Sequence, residues 1–140
     1  MKTRIILGWM LVAAMVSGGC KEKDNRSSNT NVTSIVILKD GQVRYTVCNG
    51  NCWGKGGGGT NEVTNTAQVC KNEVITALEA VFTCQDPKAT IEKCTFQVDN
   101  RWHSGPQDFT TPQTFTVTAE NGTQRDYTIT LTKNSALSCE

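Results

Sequence analysis

The chain has 140 residues, a length that favours one domain. Charged residues make up 19% of it and the formal net charge is +1, which argues against a basic nucleic-acid-binding protein and against an acidic tail protein. Seven cysteines are an odd and high count for a small cytosolic protein, so the composition favours an exported module. Composition alone names no ligand.

The N-terminus has the pattern of an export signal. Two basic residues precede an apolar run over residues 5–16, which is shorter than the roughly 20 residues that a membrane-spanning helix needs. Small residues at 17–19 then lead directly to Cys20. This arrangement resembles the signal peptide of bacterial lipoproteins, except that Ser17 stands where that pattern usually has leucine. The resemblance implies removal of residues 1–19 and lipidation of Cys20; the alternative is an ordinary signal peptide that leaves Cys20 as a thiol.

The segment that follows predicts how the protein is attached to the membrane. Several acyl chains on Cys20, palmitate among them, would give stable membrane anchoring. Lys21 follows in place of the aspartate that marks inner-membrane retention in some bacteria, which favours the outer membrane without deciding which side the domain faces. Residues 20–33 are almost entirely polar, so we expect a flexible tether.

From residue 34 onward the apolar residues occur in short β-branched runs typical of strands. The clearest alternate with threonine, as in Thr114 to Thr118 and Tyr127 to Thr132. Asp40-Gly41 and Asn121-Gly122 predict hairpin turns, whereas Glu73 to Ala80 predicts a loop or strand, not a helix. The predicted strands are Ser34–Leu38, Val43–Cys48, Val63–Cys70, Glu79–Cys84, Thr90–Val98, Gln113–Ala119 and Arg125–Thr132.

About seven short strands predict an all-β, antiparallel β-sandwich. The segments Ser104 to Pro112, Thr114 to Thr123 and Tyr127 to Thr132 resemble the C-terminal half of a cadherin-like, PKD-like or immunoglobulin-like module of bacterial surface lipoproteins, often a domain of unknown function. The resemblance implies an immunoglobulin-like fold over residues 34–133, a C-terminal tail over 134–140, and no catalytic residues.

Six cysteines remain when Cys20 is set aside, and in an exported chain an even number predicts three disulfides. The sequence leaves their connectivity open, and one plausible set joins neighbours along the chain and pairs the remaining two. That set is Cys48–Cys52, Cys84–Cys94 and Cys70–Cys139. A zinc site is disfavoured because one histidine, His103, and no second close cysteine pair are present. We expect no cofactor and no metal.

A glycine-rich loop over residues 48–61 is the least ordinary stretch. Gly54-Lys55 lacks the other residues of a phosphate-binding loop, so no nucleotide site is predicted. The loop is either an inert insertion or a binding loop in which Trp53 and Lys55 contact a ligand.

A second candidate binding position follows at Trp102-His103, beside Arg101. These residues either form one patch with Trp53 or consist of a core tryptophan and a surface-loop histidine. A lone histidine without a paired nucleophile is weak evidence for catalysis.

Taken together, these features predict a non-catalytic binding or adhesion module at the bacterial cell envelope. Its partners would be the membrane, through the lipid, and a glycan or cell-surface protein, with no nucleic acid. The alternative is a structural spacer or assembly subunit of an envelope complex, in which sheet edges pair with a partner. The ligand and the oligomeric state are left open.

Overall fold

The structure is a computed structural model that describes residues 26–53 and 61–139. Within that part of the chain all regular secondary structure is β, and no helix there could span a membrane. The predicted signal peptide, Cys20 and the start of the tether lie outside the described residues. The strands are β1 Val32–Lys39, β2 Gln42–Asn49, β3 Glu62–Cys70, β4 Leu78–Cys84, β5 Thr90–Ile91, β6 Phe96–Val98, β7 Arg101–Gln107, β8 Gln113–Thr118 and β9 Gln124–Asn134.

The strands form two sheets that enclose one apolar core. Sheet I has the order β2-β1-β4-β7-β6, and sheet II has the order β3-β9-β8-β5. Alternate residues point inward from both, so Ile35 and Ile37 of β1 and Phe115 and Val117 of β8 are fully buried. Phe82 of β4 meets Phe115 across the core, with ring centroids 4.8 Å apart. The all-β, two-sheet prediction is confirmed.

Two details of that prediction need correction. The described residues hold nine strands, not about seven, and sheet II is mixed because β3 runs parallel to β9 from Glu62↔Asp126 to Cys70↔Asn134. Without the edge strands β2 and β3, sheet I has the order β1-β4-β7-β6 and sheet II the order β9-β8-β5. This is the strand order of immunoglobulin-type sandwiches. Kinship with that family stays a prediction.

The extra strands arise from two backbone features. The predicted strand Thr90–Val98 is interrupted at Lys93, whose positive φ of 74° ends β5, and the chain then crosses to sheet I as β6. Asp99 and Asn100, both with positive φ, close a two-residue hairpin that returns the chain as β7. The predicted surface loop around His103 is therefore a strand.

The two predicted hairpin turns are present. Asp40 and Gly41 both have positive φ and join β1 to β2, as a type I′ turn requires. Between β8 and β9, Gly122 adopts a φ of 96° while the Ala119 and Thr123 backbones close the loop at 2.7 Å. The segment before β4 is a loop and not a helix, as expected.

Two of the three predicted disulfides are formed. Cys48–Cys52 bridges the end of β2 to the following loop, and Cys70–Cys139 ties the end of β3 to the C-terminus. The predicted Cys84–Cys94 bridge is not formed, because both residues are free thiols. Burial raises the pKa of each thiol to about 12, so neither is a reactive thiolate at neutral pH.

The domain extends further in both directions than predicted. Residues 27–33, expected to be flexible, pack onto sheet II: Thr30 is buried, Ser27 N–H donates to Glu120 at 3.2 Å, and β1 already begins at Val32. At the other end, the predicted tail is fixed by the Cys139 bridge and by Lys71 N–H donating to the Leu137 carbonyl. Polar composition alone did not reveal these backbone contacts.

Tyr127 fixes the N-terminal segment. Its hydroxyl donates to the Thr30 carbonyl at 2.6 Å and accepts from Val32 N–H at 3.1 Å, and the ring is fully buried. One side chain of β9 thus satisfies two backbone groups at the entry to β1.

We predict that Tyr127→Phe lowers the free energy of unfolding by about 1–3 kcal/mol, because it leaves buried backbone groups without partners. Urea denaturation measures this change. The control Thr132→Val removes an exposed hydroxyl from the same strand and should change stability by less than about 0.5 kcal/mol. Equal urea midpoints for wild type and Tyr127→Phe would contradict the assigned role.

Candidate functional site

The solvent-facing side of sheet I is the main candidate surface, and we call it the outer face. It carries apolar side chains together with an aromatic pair and charged groups. Three of its apolar residues are at least 48% exposed, namely Val43, Phe96 and Val98, although such side chains are usually covered. The outer face comprises Val36, Leu38, Val43, Glu79, Val81, Phe96, Val98, Arg101 and His103.

Strand register places these residues in rows across the sheet. Val36 of β1 is opposite Val81 of β4, Val81 is opposite His103 of β7, and His103 is opposite Phe96 of β6. Adjacent strands are about 4.8 Å apart, so the row runs roughly 15 Å perpendicular to the strands. A second row places Arg101 between Thr83 and Val98.

A bulge in β7 sets this register. Between the pairs Glu79↔Pro106 and Val81↔His103 the register shifts, and Gly105 takes a positive φ of 75°. The buried Ser104 hydroxyl compensates for the disrupted ladder, because it accepts from Ala80 N–H at 3.0 Å and donates to the Gly105 carbonyl at 2.6 Å. The bulge therefore directs His103 outward, opposite Val81.

His103 and Phe96 form a stacked pair. Their ring centroids are 4.5 Å apart with an interplanar angle of 13°. His103 Nδ1 lies 3.0 Å from a carboxylate oxygen of Glu79, which fixes the imidazole from the neighbouring strand. The pair thus forms a rigid, partly exposed aromatic platform.

A groove of about 400 Å³ runs along the outer face beside this platform. That volume lies within the usual range of small-ligand sites. Its lining mixes aliphatic groups with hydroxyl and cationic groups, as a ligand with both apolar and polar faces requires. The lining residues are Ser34, Val36, Leu38, Gly41, Val43, Val81, Thr83, Arg101 and His103.

The structure separates the residues that the sequence grouped at Trp102-His103. Consecutive strand residues point to opposite faces, so Arg101 and His103 face outward while Trp102 packs against the core. The indole Nε1 of Trp102 is buried and has no hydrogen-bond partner among residues 26–53 and 61–139. A single patch that joins Trp53, Trp102 and His103 is therefore wrong.

The glycine-rich loop is described only in part. Trp53 is half-buried and packs against the core. Its backbone N–H donates to Asn51 Oδ1 at 3.2 Å. Lys55 belongs to residues 54–60, which lie outside the described residues. The Cys48–Cys52 bridge encloses residues 49–51, Gly50 among them, and the other five glycines of the loop follow it in the sequence.

Sequence reasoning missed a second polar centre, around the buried carboxylate of Glu73. This carboxylate accepts from Lys39 Nζ at 2.8 Å, Arg44 Nε at 3.0 Å and the Tyr45 hydroxyl at 2.6 Å. Burial by itself would raise the pKa of Glu73, but hydrogen bonds from Lys39, Tyr45 and Arg44 together lower it from 4.5 to about 2.

The Glu73 centre also resembles a metal site in outline, because Cys70, Glu73 and Cys139 have possible ligand atoms within 4.8 Å of one another. The bonding state of these groups argues against metal binding. The two sulfurs are bonded to each other, and the carboxylate already has two cationic partners. A further cation would have to displace them, so the arrangement favours a structural ion-pair centre.

Comparison with known proteins gives one family and one structural likeness. The family model described as SGBP, N-terminal matches residues 59–131, more than half of the chain. No curated protein matches. A crystal structure of a candidate glycoside hydrolase from Bacteroides thetaiotaomicron is similar at 20% identity and a TM-score of 0.47. The likeness covers 80% of this chain, which spans 28% of that protein's length.

Glu73 allows a pH-dependent test of the ion-pair centre. A folded-state pKa below the unfolded one stabilises the protein above about pH 4.5, and this contribution is lost as the pH falls towards 2. We predict that Glu73→Gln costs roughly 2–3 kcal/mol at pH 7 and that the difference from wild type shrinks between about pH 4.5 and 2.

Urea unfolding at a series of pH values measures this difference. Glu92→Gln removes an exposed carboxylate as the matched control and should change stability by less than about 0.5 kcal/mol. A wild-type-to-Glu73→Gln difference that stays constant down to pH 2 would contradict the assignment.

Proposed function

The chain belongs to the SGBP N-terminal family, and from this premise we propose that it is a non-catalytic glycan-binding module of the bacterial cell envelope. Proteins of this family are glycan-binding proteins of the cell surface or envelope in Bacteroidetes. The observation that carries the proposal is the groove of the outer face beside the Phe96–His103 platform. The apolar C–H face of a sugar ring packs against an aromatic ring, while its hydroxyls need polar partners at the rim.

The chemistry of the described residues supports binding rather than catalysis. His103 is held by Glu79, but the neighbouring Ser104 hydroxyl points to the opposite side of β7 and is engaged with the backbone. The free thiols of Cys84, which is buried, and Cys94, which is partly buried, both have raised pKa values. These residues therefore do not assemble a nucleophile with its base.

We propose that the module is held at the outer membrane by lipid on Cys20. The support is the arrangement of an apolar run, small residues and a cysteine in the sequence, together with the envelope location of the family. The tether predicted over residues 20–33 would then exclude residues 27–33, which pack on the domain.

The platform can be tested by measuring polysaccharide binding with Phe96→Ala. Removing the ring should weaken binding roughly three- to ten-fold, as expected for loss of one aromatic contact. Val74→Ala is the matched control, since Val74 is 63% exposed and lies in the loop before β4. Isothermal titration against a panel of soluble polysaccharides gives the affinities. A wild-type protein that binds none of them would overturn the proposal and favour the spacer function.

The lipid anchor predicts a mass shift. In a bacterial host the wild-type protein should lose residues 1–19 and gain acyl chains, whereas Cys20→Ser should gain none and should not partition into membranes. Intact-mass measurement of both proteins, with palmitate labelling, decides this. An unmodified Cys20 in the membrane-associated wild type would refute lipidation.

A further inference from the structure

The outer face carries a cation, Arg101, that has no ion-pair partner in the part of the chain that the structure describes. Arg101 begins β7, directly after the Asp99-Asn100 turn, and its side chain is exposed along the groove. Among the described residues, no ion pair or side-chain hydrogen bond engages its guanidinium. The neighbouring Asp99 is exposed and makes no ion pair with it in the same part of the chain.

Several other cations of the domain have partners. Lys39 and Arg44 are held by Glu73, and Lys88 by Glu120. On the outer face itself the acidic group is Glu79, and His103 Nδ1 contacts it at 3.0 Å. The groove therefore presents a free guanidinium and a carboxylate that already has a partner, so it is suited to a ligand that brings its own negative charge.

Strand geometry places this charge next to the platform. Arg101 and His103 are two residues apart on β7, so both face the groove at a spacing of about 7 Å. Val98 pairs with Arg101 just as Phe96 pairs with His103. A ring that packs on Phe96 thus has a substituent or a neighbouring ring within reach of the guanidinium.

We propose that the outer face selects acidic glycans, with the Arg101 guanidinium pairing with a sugar carboxylate while the adjacent ring packs against Phe96. This inference rests on the proposed glycan-binding function and specifies its ligand class. Arginine suits the role because its planar donors match the two oxygens of a carboxylate, a match that lysine cannot reproduce. The pairing is exposed, so added salt weakens it.

The test compares polygalacturonate with its fully methyl-esterified form, which keeps the backbone and lacks the charge. Purified wild-type protein, Arg101→Gln, Arg101→Lys and Lys133→Gln are titrated with both polymers by calorimetry. Lys133→Gln is the charge-matched control, because Lys133 is exposed on β9 of the other sheet. Dextran sulfate against dextran separates a carboxylate preference from a general anion preference. Thermal unfolding checks that each variant is folded.

The expected result is that wild type prefers the uronate polymer over its ester and that Arg101→Gln binds it about ten-fold more weakly. Arg101→Lys should bind with intermediate affinity, Lys133→Gln should behave as wild type, and 0.5 M salt should remove the preference. Equal binding of uronate and ester, equal losses in Arg101→Gln and Lys133→Gln, or an equal preference for dextran sulfate overturns acidic-glycan selection but leaves glycan binding intact. Absence of binding to every polysaccharide overturns both.

Discussion

The buried carboxylate of Glu73 is the interaction on which the arrangement of the sandwich depends. Lys39 and Tyr45, which bind it, belong to the β1–β2 hairpin of sheet I, whereas Glu73 follows β3 of sheet II, next to the Cys70–Cys139 bridge. A buried charge is costly without partners, so the β1–β2 hairpin must stay where its donors reach the carboxylate. That position holds the turn end of the hairpin, and with it Val43 in the wall of the groove.

Much of the fold follows from local patterns. The alternation of threonine with apolar residues predicted β8 and β9, and Asp40-Gly41 predicted the first hairpin, because both signals depend on neighbouring residues alone. The Asp99-Asn100 turn was equally readable, since both residue types tolerate positive φ, yet the sequence shows no alternation in β7 to go with it. The parallel pairing of β3 with β9 has no local signature. It joins strands far apart in the sequence and depends on which edge of sheet II is open to a further strand.

The site was harder to predict than the fold for a related reason. His103 was singled out as the one histidine, and Arg101 was noted only as its neighbour. The register of β4, β7 and β6 brings Phe96, Glu79 and Val81 next to these two residues. That register depends on the bulge at Gly105. Such a row can be predicted only when every strand pairing is known, because a register slip of one residue turns each side chain to the opposite face. Glu73 was missed because an acidic residue in a polar loop usually lies in solvent.

The groove is built from two parts of the chain, of which the family model matches only one. The platform and Arg101 lie on β6 and β7, within the residues that the family model matches, whereas Val36, Leu38 and Val43 lie on β1 and β2, before the match begins. The aromatic and cationic groups, together with Val81, therefore lie in the matched part of the chain, and the rest of the aliphatic lining belongs to the β1–β2 hairpin. Because the Cys48–Cys52 bridge and the Glu73 ion pairs hold that hairpin, the width of the groove depends on contacts remote from the platform. Changes in the hairpin can thus alter the shape of the groove without disturbing the Phe96–His103 platform or Arg101.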